Sequence, residues 1–194
     1  MKKHLFLIGP SGCGKTTMLR NALGDKLAEA GGFVTERVCR ADGSVEGYDL
    51  LPAAAAGGVE GYERARFLDY TKNPPKSDNE VFRNEAVKLL KEAAFYPYAV
   101  IDEFGGYEMV IPQFREALLD ILSSELPIIG VLKDAGNGET LRRRIGLGEK
   151  YTLYRDRLEE ALRNDCDTLI LDTSGRYDEK AHELVRRWAE EYAL

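Results

Sequence analysis

The stretch His4-Leu5-Phe6-Leu7-Ile8-Gly9-Pro10-Ser11-Gly12-Cys13-Gly14-Lys15-Thr16 decides how the rest of the chain is read. Leu5 to Ile8 is an apolar run without polar alternation, which predicts a β-strand covered on both faces. From Gly9 to Thr16 the chain matches G-x-x-x-x-G-K-[ST], the Walker A loop. Its glycines permit a tight curl with backbone N–H groups turned inward, a nest for an anion. A helix opening at Lys15 adds unpaired donors and roughly half a positive charge. In this arrangement Gly9, Pro10, Ser11, Gly12, Cys13 and Gly14 cradle phosphates, and Lys15 bridges the β- and γ-phosphates. Thr16 offers its hydroxyl to Mg²⁺, and Thr17 is placed to touch the α-phosphate. A thiolate is favoured at a helix N-terminus. However, the two histidines fall at a strand start (His4) and on the last helix (His182), so Cys13 reads as a small residue in a tight loop.

Outward from this loop, short β-rich runs alternate with helical periodicity, the pattern of a parallel sheet wrapped by helices. The first helix is expected from Lys15 to about Ala30, with Leu19, Ala22, Leu23 and Leu27 on one face and Gly31-Gly32 as its stop. Phe33–Val38 and Val45–Leu51 read as a hairpin turning at Asp42-Gly43. The small-residue stretch 52–63 reads as a loop and 64–70 as a further strand. Ser77-Asp78-Asn79-Glu80 has the form of a capping box ahead of a helix bearing Phe82, Ala86, Leu89, Leu90 and Ala93. Pro112 suits the first turn of a helix carrying Phe114, Leu118, Ile121 and Leu122. Pro127–Leu132 and Thr168–Leu171 are strands. Residues 138–162 read as two short helices with an extended piece near Tyr151–Tyr154. Tyr177, Ala181, Leu184, Val185, Trp188 and Tyr192 line one face of a closing helix. The expected architecture is a three-layer αβα sandwich with a mostly parallel sheet, in one P-loop domain spanning 1–194.

Tyr98-Ala99-Val100-Ile101-Asp102-Glu103 is an apolar strand ending in two carboxylates, the Walker B form. Asp102 is expected to hold the Mg²⁺ shell. Glu103, if the strand end turns it toward the γ-phosphate, can orient and deprotonate a water. Asp102-Glu103-Phe104-Gly105 also fits the D-x-x-G of GTPases. Those enzymes read guanine with Asn-Lys-x-Asp, and the candidate place here holds Leu132-Lys133-Asp134, so a signalling GTPase is set aside.

Composition narrows the remaining classes. The 27 Lys and Arg against 33 Asp and Glu leave a net charge of −6, which argues against a coat for nucleic acid or an anionic membrane. No apolar run approaches the ~18 residues of a membrane span, and the run after Met1-Lys2-Lys3 ends at Gly9, too soon for a secretory signal. Cys13, Cys39 and Cys166 show no metal spacing and fit reduced thiols in a cytoplasm. Nothing in the sequence names a protein partner.

The P-loop, then Gly32-Phe33-Val34-Thr35-Glu36-Arg37-Val38 with Gly47-Tyr48-Asp49-Leu50, then Ile101-Asp102-Glu103-Phe104-Gly105-Gly106-Tyr107-Glu108, resemble the thermophile-type nucleoside-triphosphatase family, which includes the cancer-related nucleoside triphosphatases. The likeness runs through most of residues 1–132. It implies a RecA-like fold of the class with an added catalytic glutamate, and Mg²⁺-dependent hydrolysis of ATP, GTP and other nucleoside triphosphates. It also marks Glu108 as a site residue. Beyond Leu132 the chain carries Lys133-Asp134-Ala135-Gly136-Asn137-Gly138 where relatives carry a basic, His-containing stretch. Tyr154-Arg155-Asp156 resembles the family's Asn-Arg-Asp, with Tyr for Asn.

A cation that closes on the transferred phosphoryl contributes ~10³–10⁵ in rate. Lys133 is a candidate because it stands beyond a central strand, on the edge where open α/β sheets bind ligands. Arg155 gains from the resemblance. Arg142, Arg143, Arg144 and Arg157 are further candidates, although the first three cannot all face one ligand from one helix. Two other readings remain at this point. One is a nucleotide or nucleoside kinase, with the Arg-rich 142–157 region as a lid and 53–63 admitting the acceptor. The other is an adaptor reshaped by nucleotide around 53–76.

Overall fold

The computed structural model describes residues 1–134, 149–175 and 178–193. Arg142, Arg143, Arg144 and Tyr177 lie outside the described residues. The strands are β1 His4–Ile8, β2 Ala30–Cys39, β3 Val45–Pro52, β4 Ala65–Asp69, β5 Lys76–Ser77, β6 Tyr98–Phe104, β7 Ile128–Leu132 and β8 Thr168–Asp172. The helices are α1 Lys15–Leu23, α2 Ala53–Ala56, α3 Val87–Glu92 (entered through a wider turn, Val81–Ala86), α4 Pro112–Leu122, α5 Glu149–Asn164 and α6 Glu179–Tyr192. Among the described residues no helix is long and apolar enough to cross a membrane.

One sheet runs in the order β5-β4-β3-β2-β6-β7-β1-β8. Its centre, from β2 to β8, is parallel, and β3, β4 and β5 extend it antiparallel. Successive residues of a strand face opposite ways, and β1 shows the result. Leu5 and Leu7 join Met18, Leu19, Val185 and Trp188 on the face covered by α1 and α6. Phe6 and Ile8 join Phe82, Phe104, Phe114 and Leu158 on the face covered by α3, α4 and α5. This is the expected three-layer sandwich. The indole N–H of Trp188 donates to the Lys3 carbonyl at 3.0 Å, so a buried aromatic keeps its polar atom satisfied while it locks α6 to the foot of β1.

Strand order places the chemistry. β7 lies between β1 and β6, so the loop after β1 and the acids at the end of β6 stand two inter-strand spacings apart, about 10 Å.

Several local expectations are corrected. The first helix stops at Leu23, six residues in a tighter 3₁₀ coil follow, and Gly31-Gly32 lie inside β2 rather than ending the helix. Close approach explains the two glycines. A Cβ at Gly32 would meet the Val100 carbonyl oxygen of β6 at 2.2 Å, and one at Gly31 would meet Ala93 at 2.7 Å. Ala53–Ala56 forms a helical turn with Ala53 and Ala54 buried, where a loop is expected from the small residues. The Ser77 capping box does not form because Ser77 is paired in β5; the Asp78 carboxylate instead accepts the Glu80 N–H at 3.0 Å. Tyr151–Tyr154 is not extended but part of the continuous α5. The hairpin forms as expected, with the Gly43 N–H bonded to the Arg40 carbonyl at 2.9 Å.

Candidate active site

The loop after β1 curls as its glycines allow and opens α1 at Lys15, with Gly14 as N-cap at φ 103°. The Lys15 side chain is buried and its ammonium donates to the Gly9 and Pro10 carbonyls, both at 2.8 Å. It is therefore held across the mouth of the loop. The Cys13 sulfur lies 3.8 Å from the same ammonium, with the residue half-buried.

The Thr16 hydroxyl donates to the Asp102 carboxylate at 3.1 Å, joining the two Walker segments across β7. Asp102 is 2% exposed. Burial, with Glu103 adjacent as a second negative charge, pushes its pKa up to about 7, against the pull of the Thr16 hydrogen bond and of Arg20 and Lys15. A carboxylate and a hydroxyl at this spacing are the kind of donors Mg²⁺ takes, with the rest of its shell from phosphate and water.

The raised pKa has a consequence for folding. Asp102 ionises near 3.8 unfolded and near 7 folded, so the folded state binds the extra proton in that window. Stability is favoured below pH 4 and is lost as pH rises toward 7. The gap is worth at most about 4 kcal/mol at about 1.4 kcal/mol per pH unit. In metal-free buffer, Asp102→Asn should therefore denature later than wild type at pH 8 and no later at pH 4, read by urea titration at the two pH values. Equal gains at both would show that Asp102 ionisation is not the cause.

Glu103 is aimed by a register shift. β6 pairs with β7 as Asp102 opposite Val131 and then Phe104 opposite Leu132, which leaves Glu103 as the extra residue. Such bulges re-aim a side chain, and Glu103 lines the cleft while Asp102 stays buried. The Glu103 carboxylate meets the Lys133 ammonium at 3.5 Å. Burial lowers the Lys133 pKa, but Glu103 and Glu108 outweigh it and raise it, so the ammonium stays charged.

Glu108 is also buried, and its carboxylate accepts the Gly106 N–H at 2.6 Å. Burial raises its pKa, with Lys133 and that amide opposing. Its place is thus beneath the loop 105–108 and beside Lys133, not among the residues lining the cleft. Lys133→Met would strip the counter-charge from Glu108 and should destabilise the fold by roughly 3 kcal/mol, the cost of an orphaned buried charge. Chemical denaturation at pH 8 checks this, and a loss below about 0.5 kcal/mol would show that the pair is idle.

Arg155 is 4% exposed and points elsewhere. Its guanidinium donates twice to the Lys133 carbonyl, at 3.3 and 3.1 Å, and pairs with Glu159 at 2.5 Å and Asp156 at 3.2 Å. It clamps the end of β7 to α5 and does not line the cleft. Tyr154 lies under Arg115, 4.0 Å from guanidinium carbon to ring centre. Arg157 is exposed on α5.

The cleft itself has a volume of about 530 Å³. One wall is the loop and α1: Ser11, Gly12 and Gly14 to Thr17 with Arg20, while Gly9, Pro10 and Cys13 do not line it. The floor includes Glu103 and Val131, and the far wall is Thr35, Glu36, Arg37 and Tyr48 of the β2–β3 hairpin. Sequence reasoning placed that hairpin but assigned it no side chains at the site. These residues lie in the segments 32–38 and 47–50 that carry the family resemblance, but nothing local gives them a role, because β2 meets the site only through its pairing with β6, in which Val34 lies opposite Asp102.

The chain is similar to known proteins in sequence and in fold. The mouse cancer-related nucleoside-triphosphatase homolog is 29% identical over 142 residues, 64% of this chain and 71% of that protein. The nucleoside-triphosphatase THEP1 of Ignicoccus hospitalis is 27% identical over 173 residues, 85% of this chain and 95% of that one. A crystal structure of THEP1 from Aquifex aeolicus superposes with a TM-score of 0.62, covering 94% of this chain and 96% of that one. Its 16% identity makes that a likeness of fold. The NTPase family model matches residues 4–171, from the first strand through the phosphate loop and acid pair to the last strand, so the chain belongs to the NTPase family and is an enzyme that hydrolyses nucleoside triphosphates.

Proposed function

We propose that the chain acts as one catalytic domain that binds a Mg²⁺–nucleoside triphosphate along residues 9–17 and directs water at the γ-phosphorus, with Glu103 as general base. The observation that carries this reading is the bulge that turns Glu103 into the same cleft as Lys15 and Thr16. Lys15 grips the β- and γ-phosphate oxygens as a point charge. Thr16 and Asp102 would hold Mg²⁺, and what the ion supplies there is neutralisation of the charge spread over the phosphoryl oxygens. Glu103 accepts the proton of the attacking water. The new bond joins water oxygen to γ-phosphorus, the bond to the β–γ bridging oxygen breaks, and diphosphate and phosphate leave. Lys133 holds the Glu103 carboxylate from the end of β7, while Arg155 fixes the backbone of Lys133.

The described grip is on phosphates, so ATP and GTP are read as substrates alike. Family membership favours water over a nucleoside acceptor, and turnover over a silent adaptor. Three free thiols, two of them exposed, support a reducing, cytoplasmic setting.

The test is phosphate release from ATP, GTP, CTP and UTP, with Mg²⁺ or with EDTA, and with or without nucleoside acceptors. Release that requires Mg²⁺ and ignores the acceptor is expected. Transfer to an acceptor faster than release, or release undiminished by EDTA, would sink the reading.

A further inference from the structure

Three cations among the described residues line the cleft: Lys15, Arg20 and Arg37. Lys15 belongs to the phosphate loop. The Arg20 guanidinium is tied to Glu36 at 3.0 Å, and the other Glu36 oxygen is held by Arg64 at 2.8 Å. Lys133 and Arg155, the cations singled out from the sequence, are outside the lining and are engaged with Glu103 and with the Lys133 carbonyl. Arg37 stands apart. Among the described residues it forms no ion pair. Its guanidinium carbon lies 6.0 Å from the centre of the Tyr48 ring, which is directly opposite it in the hairpin register. Tyr48 is in turn packed against Phe67 and Tyr70, with ring centres 6.2 and 6.3 Å apart. A ring face orients a guanidinium without neutralising it, and at an exposed site the contact is weak enough to be exchanged for an anion.

Its position on the strand points the same way. β2 runs parallel to β6 with Val34 opposite Asp102. Arg37 is three residues further on, about 10 Å beyond the level of Asp102. It therefore overhangs the edge where the two acids end. The phosphate loop is on the other side, beyond β6 and β7. Thr16 of the loop bonds Asp102 of β6 at 3.1 Å, so the Lys15–Thr16 end of the phosphate cradle faces β6 and, beyond it, the Arg37 wall.

We propose that Arg37 is the cation, supplied from within the same chain, that stabilises the γ-phosphoryl group as it transfers. This rests on the hydrolytic reading of the cleft. As the bond to the bridging oxygen lengthens, the planar fork donates two N–H bonds to equatorial γ-oxygens, over which the charge of the transferring group is spread. Arg37 gives up no proton; the proton of the attacking water goes to Glu103. The Tyr48 ring is the rest position from which the side chain swings to the phosphate.

The experiment compares wild type, Arg37→Ala and Arg37→Lys for turnover, for affinity toward Mg–ADP, and for affinity toward Mg–ADP with aluminium fluoride, which mimics the transferring group. Arg37→Ala should lower kcat about 10²–10³-fold. Mg–ADP binding should stay within about threefold, and the fluoride complex should weaken in step with kcat. Arg37→Lys should recover part of the loss, because it keeps the charge without the fork. A purely structural role would not move the fluoride affinity selectively. If Arg37→Ala keeps kcat within threefold, or if Mg–ADP affinity falls as far as kcat, the assignment is overturned while wild-type turnover leaves the hydrolytic reading standing. A wild type that releases no phosphate from any nucleotide overturns both.

Discussion

Lys15→Ala is expected to weaken Mg–ATP binding about 10²–10³-fold, equivalent to about 3–4 kcal/mol. The ammonium is buried and already fixed by two loop carbonyls at 2.8 Å, so it meets the phosphates with little further ordering. Losing it removes a positive charge from a partly desolvated site, where Coulomb terms are stronger than in bulk water. The fold should survive, because the carbonyls released lie in a loop whose neighbours Ser11 and Gly12 are exposed and can be hydrated. Calorimetry with a non-hydrolysable ATP analogue in Mg²⁺ checks this, and wild-type affinity in the variant would remove the loop as the phosphate grip.

Glu103→Gln should lower turnover about 10²–10⁴-fold, the range for removing a positioned general base. Glutamine keeps the shape and the place in the bulge but takes up no proton from water. Nucleotide affinity should hold or rise, since a negative charge facing the γ-phosphate is gone. The lost pair with Lys133 is partly exposed, with side chains 27% and 21% accessible, so its own contribution to stability is no more than about 1 kcal/mol. Single-turnover phosphate release with saturating enzyme separates chemistry from binding. Turnover within threefold of wild type would remove Glu103 as the base. Lys15→Ala thus tests binding, Glu103→Gln tests the base, and the Arg37 variants test charge stabilisation in the transition state.

The two Walker segments were legible because each is a local pattern tied to a local mechanism. Gly9 to Thr16 needs only its own backbone to curl, and Tyr98 to Glu103 needs only an apolar strand with acids at its end. The strands were legible for a similar reason, since a run such as Leu5 to Ile8, closed by Gly9, has strand length and is too short for a helix. Boundaries failed where a distant neighbour intervened. Gly31-Gly32 looks like a helix stop, yet both glycines serve the approach of β6 and Ala93 to β2, which no window of nearby residues contains. Ser77 looks like a cap, yet pairing with Leu68 draws it into the sheet.

Residue chemistry was enough to mark a candidate site for phosphates and a divalent ion, because nest, ammonium and hydroxyl are encoded in one loop and the carboxylate in one strand end. Which cations face that site was decided only by assembly. Lys133 and Arg155 follow the central strand β7 and its packing helix, and both are consumed in holding Glu103 and the strand end. Arg37 reaches the cleft because β2 pairs in parallel with β6 and overruns it by several residues. Strand order and register are set by burying two apolar faces at once, a condition spread over the whole chain, so the wall opposite the phosphate loop exists only in the folded sheet.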